Sequence, residues 1–147
     1  MHLSAILLAM MLAPLALMAS DEKDAVAVVQ KTFDGLAARD AATIRSTMLP
    51  DARIFAVRGD AAPAGVSIDE FLQRIATAQG SLLERFTGEP TVSIRGRMAQ
   101  IWGEYEFLHD GQFSHCGVDS VSLFKTADGW KIAAIAYTAE TTGCKGH

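Results

Sequence analysis

Apolar residues recur at three- and four-residue intervals in DEKDAVAVVQKTFDGLAARD, where Val26, Val29, Phe33 and Leu36 fall on one side of a helix. Asp21, Glu22 and Asp24 at its start suit the positive end of the helix dipole. AATIRSTMLP continues as a second short helix, ended at Leu49-Pro50 because a proline disfavours helix at the residue before it. DARIFAVRG reads as a strand and GDAAPAG as a loop. VSIDEFLQRIATAQGSLLERF reads as one amphipathic helix carrying Phe71, Leu72 and Ile75, with Ser67 and Glu70 forming a capping box at its start. After GEP, TVSIRGRMAQIWGEYEFLHDG reads as one long strand ending in a His-Asp-Gly turn. FSHCGVDSVSLFKTADGWKIAAIAYTAE reads as a hairpin turning at Asp128-Gly129.

Helices first, then a strand, a helix and a meander of long strands make an α+β domain, not a βαβ repeat, so a Rossmann-type nucleotide site is not expected. The 147 residues hold one domain. The leading MHLSAILLAMMLAPLALMAS is apolar, lacks acidic residues and stops abruptly at DEKD. It reads as a signal peptide over residues 1–20, leaving a domain over residues 21–147 in the periplasm or secreted, off the membrane after cleavage. A membrane-anchored form or a mis-assigned start is the alternative, because no clean cleavage site stands before Asp21. The net charge of -4, with no run of basic residues, argues against nucleic acid. No Gly-rich phosphate loop appears and no cofactor is expected.

VVQKTFDGLAARD followed by MLPDARIFAV, then AQIWGEYEFLHDGQFSHCGVD, then ADGWKIAAIAYT before a terminal Gly-Cys, resemble the nuclear transport factor 2-like (SnoaL-like) superfamily, in its putative lumazine-binding branch. The resemblance covers nearly everything from Asp24 to Cys144. It implies a cone: a strongly bent antiparallel sheet wrapped around helices, enclosing an apolar cavity, in a protein that pairs as a homodimer through the outer sheet face. Such folds carry isomerases, dehydratases, cyclases and non-catalytic binders, so the fold itself gives little function.

Strand alternation sorts the cavity candidates. Ala99, Ile101, Gly103, Tyr105 and Phe107 share an inner face, while Trp102, Glu104 and Glu106 point outward. Glu104 and Glu106 are same-face neighbours about 7 Å apart by strand rise, best read as a solvated or dimer-contacting pair. His115, Gly117, Asp119, Val121 and Leu123 share the inner face of the next strand. His115 and Asp119 are then roughly 13 Å apart, too far for a direct dyad, so each needs another partner among Tyr105, Tyr137 and Arg58. A carboxylate buried in an apolar cone is shifted toward neutrality unless paired. Asp119 is therefore the candidate general base, with Tyr137 as the candidate donor beside it. Tyr105, His115, Asp119, Tyr137 and Arg58 are the candidate ligand-binding residues. Against this stand the plainer readings of a hydrogen-bonded aspartate, a surface histidine and core tyrosines.

The two cysteines are Cys116 and Cys144. His115 points away from Cys116 across the strand, so a catalytic thiol lacks a base, and zinc lacks ligands at suitable spacing. In an exported protein the two cysteines most economically form one disulfide. A hairpin centred on Asp128-Gly129 sets Cys116 opposite about Thr141, so Thr142-Gly143 must turn the tail back to close the bridge. Three functions remain open. One is an exported binder of a small apolar or aromatic ligand. Another is a cofactor-free isomerase, dehydratase or cyclase using Asp119 as base. The last is a dimeric interaction module without ligand. The family label implies lumazine, but no residue selects a pteridine.

Overall fold

The computed structural model describes residues 3–147, with side chains from Met18 onward. The expected leader, residues 1–20, therefore falls outside the described side chains except for its last three residues. In chain order the elements are α1 (Leu3–Ala38), α2 (Ala41–Thr47), β1 (Met48–Val57), β2 (Ala64–Ser67), α3 (Ile68–Thr77), β3 (Leu82–Phe86), β4 (Thr91–Arg95), β5 (Met98–His109), β6 (Gln112–Thr126) and β7 (Gly129–Thr138). The seven strands form one sheet in the order β2-β1-β7-β6-β5-β3, and β4 also pairs with β5. This is the curved α+β architecture that the resemblance implied, with one difference of direction. The β1–β7 pair is parallel and every other pair antiparallel. No hairpin joins β1 to β7, so nothing local imposes an antiparallel match.

Of the helical stripe read from the sequence, Val29, Phe33 and Leu36 lie in the core beside Ile44 of α2; Ala25 joins them there, and Val26 is only partly buried against it. The inner face of the sheet supplies Ala99 and Ile101 from β5, Val121 and Leu123 from β6, and Ile132 from β7. Burying each of the Val, Leu and Ile side chains among them is worth about 1.5–3 kcal/mol. Gly103 belongs to this inner face because a Cβ there would meet the Phe86 ring at 2.4 Å. Phe86 in turn packs edge-on against Phe33 at 5.1 Å between centroids. On the outer face Trp102 is 57% exposed, as its strand position indicated.

Several boundaries differ from the sequence reading. The helix expected to open at Asp21 runs on from Leu3, so Asp21, Glu22 and Asp24 lie inside α1 and not at its N-terminus. Helix α2 stops at Thr47 and β1 begins at Met48, ahead of the expected stop at Leu49-Pro50. The expected helix through SLLERF stops at Thr77, and Leu82–Phe86 is strand β3. Arg39 draws the chain off the helix by donating to the carbonyl oxygens of Ile75, Ala78 and Gly80. Gly80 has a positive φ of 72°, and Asp110 Oδ1 accepts the Ser81 amide at 2.8 Å. These restraints come from residues 29 or more positions away in sequence, beyond any local pattern. The single long strand expected after GEP is two, β4 and β5, folded into a hairpin at Gly96, whose φ is 59°. The loop after β1 also contains the short strand β2. Ser67 and Glu70 form the expected capping box at the start of α3.

Candidate functional site

The ends of several strands turn polar side chains into the cone. From β3, Leu82, Glu84 and Phe86 alternate inward with the more exposed Leu83 and Arg85 outward. Glu84 lies beside Phe107 of β5, and Phe107 beside His115 of β6. One rung further, Tyr105 faces Gly117, and Asp119 faces Tyr137 of β7. Glu84, Tyr105, His115 and Tyr137 border a cavity of about 420 Å³ with apolar walls from Leu36, Ile54, Phe71, Ile75 and Phe107. Its polar lining is Arg58, Arg74, Glu84, Tyr105, His115 and Tyr137.

Asp119 is not on that lining. It is 1% exposed and sits behind the cavity wall. Neither of its carboxylate oxygens receives a hydrogen bond from any fixed N–H or O–H among the described residues. Only the Glu84 carboxyl is in reach of it, and two carboxyl groups can bond only when one of them carries a proton. Burial pushes Asp119 up to about 7, the bond with Glu84 acting in the opposite sense. Burial, and then the charge and hydrogen bond of Asp119, hold Glu84 well above the ordinary carboxylate range. Glu84 is half-buried by area, and its accessible part opens into the cavity. At neutral pH the two acids form a proton-holding pair, with Glu84 as the member that a ligand can touch.

The aromatic hydroxyls divide the remaining work. Tyr105 is buried and donates to the Thr138 carbonyl at 2.6 Å, so its ring lines the cavity while its proton is committed elsewhere. Burial and the nearby acids keep its phenol protonated. Thr138 comes this close because Gly117 lacks a side chain: a Cβ there would lie 2.2 Å from the Thr138 oxygen. The Thr138 hydroxyl also accepts the Val118 amide at 3.0 Å. Tyr137 instead accepts a hydrogen bond from Arg58 Nη2 at 3.3 Å, which leaves its own O–H available to the cavity. His115 stacks on Phe107 at 4.9 Å and meets Tyr105 edge-on at 5.9 Å. Burial and the Arg58 charge lower its pKa, keeping the ring neutral at neutral pH.

The structure thus brings Arg58, Tyr105, His115 and Tyr137 to one cavity and sets Asp119 behind it. The sequence reading missed Glu84 and Arg74. Leu82, Glu84 and Phe86 do alternate like a strand, but the preceding helical pattern absorbed them. Among the described residues, no cluster of three or more histidine, cysteine, aspartate or glutamate side chains is placed to hold a metal ion.

On the opposite face of the sheet, Cys116 and Cys144 form a disulfide. Cys116 exchanges backbone hydrogen bonds with Glu140, one residue from the expected Thr141. The hairpin turns at Ala127-Asp128, between paired Thr126 and Gly129, and not at Asp128-Gly129; that alone would set Cys116 opposite Ala139, and the register shift between Ser122 and Leu123 gives one residue back. The bridge folds the tail over β5. Lys145 pairs with Glu104, and His147 bonds Glu106 at 2.8 Å while stacking on Phe113. Glu106, expected to be solvated or to contact a second subunit, is 8% exposed and also bonded to Arg85 at 2.6 Å. The folded-back tail and Arg85 of β3 cover it together, and the strand pattern shows neither.

Residues 20–138 match the family model described as "Putative lumazine-binding". A search of curated proteins returns no match. Among solved structures, the chain is similar to a nuclear transport factor 2-like protein with a cystatin-like fold from Novosphingobium aromaticivorans, at TM-score 0.73 and 15% identity, covering 91% of this chain and 90% of that one. It is also similar to a nuclear transport factor 2-like superfamily protein from Salmonella enterica, at TM-score 0.71 and 12% identity over 88% and 98% of the two chains. A protein described as a putative dehydratase from Streptomyces avermitilis aligns at TM-score 0.65 and 18% identity, over 82% and 96%. At these identities the structures speak for the fold alone. The family match over most of the described domain, on a cone of this topology, makes the chain a member of the putative lumazine-binding family within the nuclear transport factor 2-like superfamily.

Proposed function

We propose that this chain binds a small, largely apolar or aromatic molecule inside the cone. The observation that carries the reading is the cavity of about 420 Å³, walled by aliphatic and aromatic side chains around a few polar groups. That is the size and character of a small-molecule site. Tyr137, His115 and Glu84 offer hydrogen bonds along the lining, and Arg58 offers charge. An open cavity favours this reading over an interaction module whose interior is filled by its own side chains. Export to an oxidising compartment belongs to the same proposal and is supported by the Cys116–Cys144 disulfide together with the apolar leader. Homodimerisation through the outer face, where Trp102 and Phe124 are exposed, is proposed from the family resemblance.

The test is titration of the full chain with the neutral fluorophore N-phenyl-1-naphthylamine, beside an Ala56→Phe variant. Ala56 lines the cavity, and a phenyl ring there fills part of it. Saturable binding that is lost in the variant is expected. Binding that survives cavity filling overturns the assignment.

A second reading is favoured by the Glu84–Asp119 pair: proton transfer in a cofactor-free isomerase, dehydratase or cyclase. A buried acid pair in which Asp119 is pushed up to about 7 and Glu84 is held well above the ordinary carboxylate range can take a proton from a carbon acid and return it to another atom of the same molecule, with no net redox change. Asp119, the proposed base, would act through Glu84, and Tyr137 would hydrogen-bond the developing oxyanion. This reading expects Asp119→Asn and Glu84→Gln to abolish turnover of such a substrate while the fold persists. Unchanged turnover in both excludes it.

A further inference from the structure

The cavity is electrically polarised along its length. Arg58 and Arg74 both line it and both are solvent-exposed, which sets them at its mouth. Neither forms an ion pair among the described residues, whereas Arg45 and Arg85 pair with Asp69 and Glu106. The hydrogen bond from Arg58 goes to a neutral phenol, which leaves its charge uncompensated. At the inner end stands Glu84, backed by the buried Asp119. His115 between the two ends is neutral and supplies no cation. Ala56, Ala61, Ala62 and Ala64 also border the cavity, and their short side chains leave the arginines unobstructed.

Resting on the proposal that the cavity binds a small apolar molecule, we infer that its ligand is an apolar carboxylic acid, an aromatic or alicyclic ring system bearing one carboxylate. The carboxylate sits on Arg58 and Arg74 at the mouth, the ring packs against Phe71, Ile75 and Phe107, and a hydroxyl or N–H at the far end donates to Glu84. The reverse orientation would bring an anion against the acid pair in a poorly screened interior, where like charges repel strongly. It would also leave two guanidinium groups without the planar anion that they bind best.

The experiment is calorimetric titration of the full, disulfide-intact chain with two probes of one shape class, 6-hydroxy-2-naphthoate and 2-naphthol. Both carry the ring and the hydroxyl, and only the first carries the carboxylate. The inference expects the naphthoate to bind at least about tenfold more tightly, the scale of a charge-assisted contact. That preference should fall to within about twofold in an Arg58→Gln/Arg74→Gln variant, whose exposed replacements leave the core intact. Equal affinity for the two probes, or a preference that survives loss of both arginines, overturns the ligand class and leaves the apolar cavity standing. Failure of both probes to bind at about 1 mM overturns the cavity reading along with it.

Discussion

Replacing Asp119 by asparagine should make the protein's stability less dependent on pH, and the size of the change follows from its surroundings. Asp119 is 1% exposed, so the cost of its charge is little screened by water. Its carboxyl moves from 3.8 to about 7 on folding, chiefly through burial. The folded chain therefore holds a proton that the unfolded chain releases. The stability tied to that proton is complete below pH 3.8 and is lost as pH rises to about 7. Three pKa units at about 1.4 kcal/mol each amount to about 4 kcal/mol over that window. An asparagine amide cannot ionise, and its NH2 group can donate to Glu84 in place of the shared proton. Glu84 also loses the neighbouring charge that helps to hold it up, so its own contribution changes in the same direction. Urea unfolding followed by the fluorescence of the buried Trp130, at intervals from about pH 4 to pH 8, measures both proteins. Taking the difference cancels His115, whose lowered pKa acts in both. The wild type should lose about 4 kcal/mol relative to Asp119→Asn across the window. Parallel stability curves would refute the buried, proton-sharing pair.

Two further outcomes follow from the same structure. The disulfide closes a loop with a sequence separation of 28, so Cys144→Ser should cost about 3–4 kcal/mol in the chain-entropy view. It should also free the tail, seen by NMR as loss of Overhauser contacts between the His147 and Phe113 rings; an unchanged urea midpoint and retained contacts would contradict this. Gly117→Ala would set a methyl 2.2 Å from the Thr138 oxygen, against backbone that also anchors Tyr105. A loss of at least about 2 kcal/mol is expected by urea unfolding, and wild-type stability in the variant would show that Thr138 does not lie against this strand.

By itself the sequence determined the class and much of the framework. The stripe Val29, Phe33 and Leu36, the alternation through Ala99, Ile101 and Tyr105, and the capping box at Ser67 are local patterns, because helix and strand periods are local properties of the chain. The same alternation turned Tyr105, His115 and Asp119 inward and Trp102 outward. Tertiary structure decided where patterns end and which groups meet. Helix α3 stops where Arg39 and Asp110 hold the chain after it, and those contacts join segments distant in sequence. Because that stop makes Leu82–Phe86 a strand, it also brings Glu84 against Asp119 and turns an isolated buried acid into a pair. The fold likewise laid the tail over Glu106 and gathered Arg58 and Arg74 at one cavity mouth. A carboxyl's pKa depends on what surrounds it in space, so the chemistry of this site emerges only when β3, β5, β6 and β7 curve around the same volume.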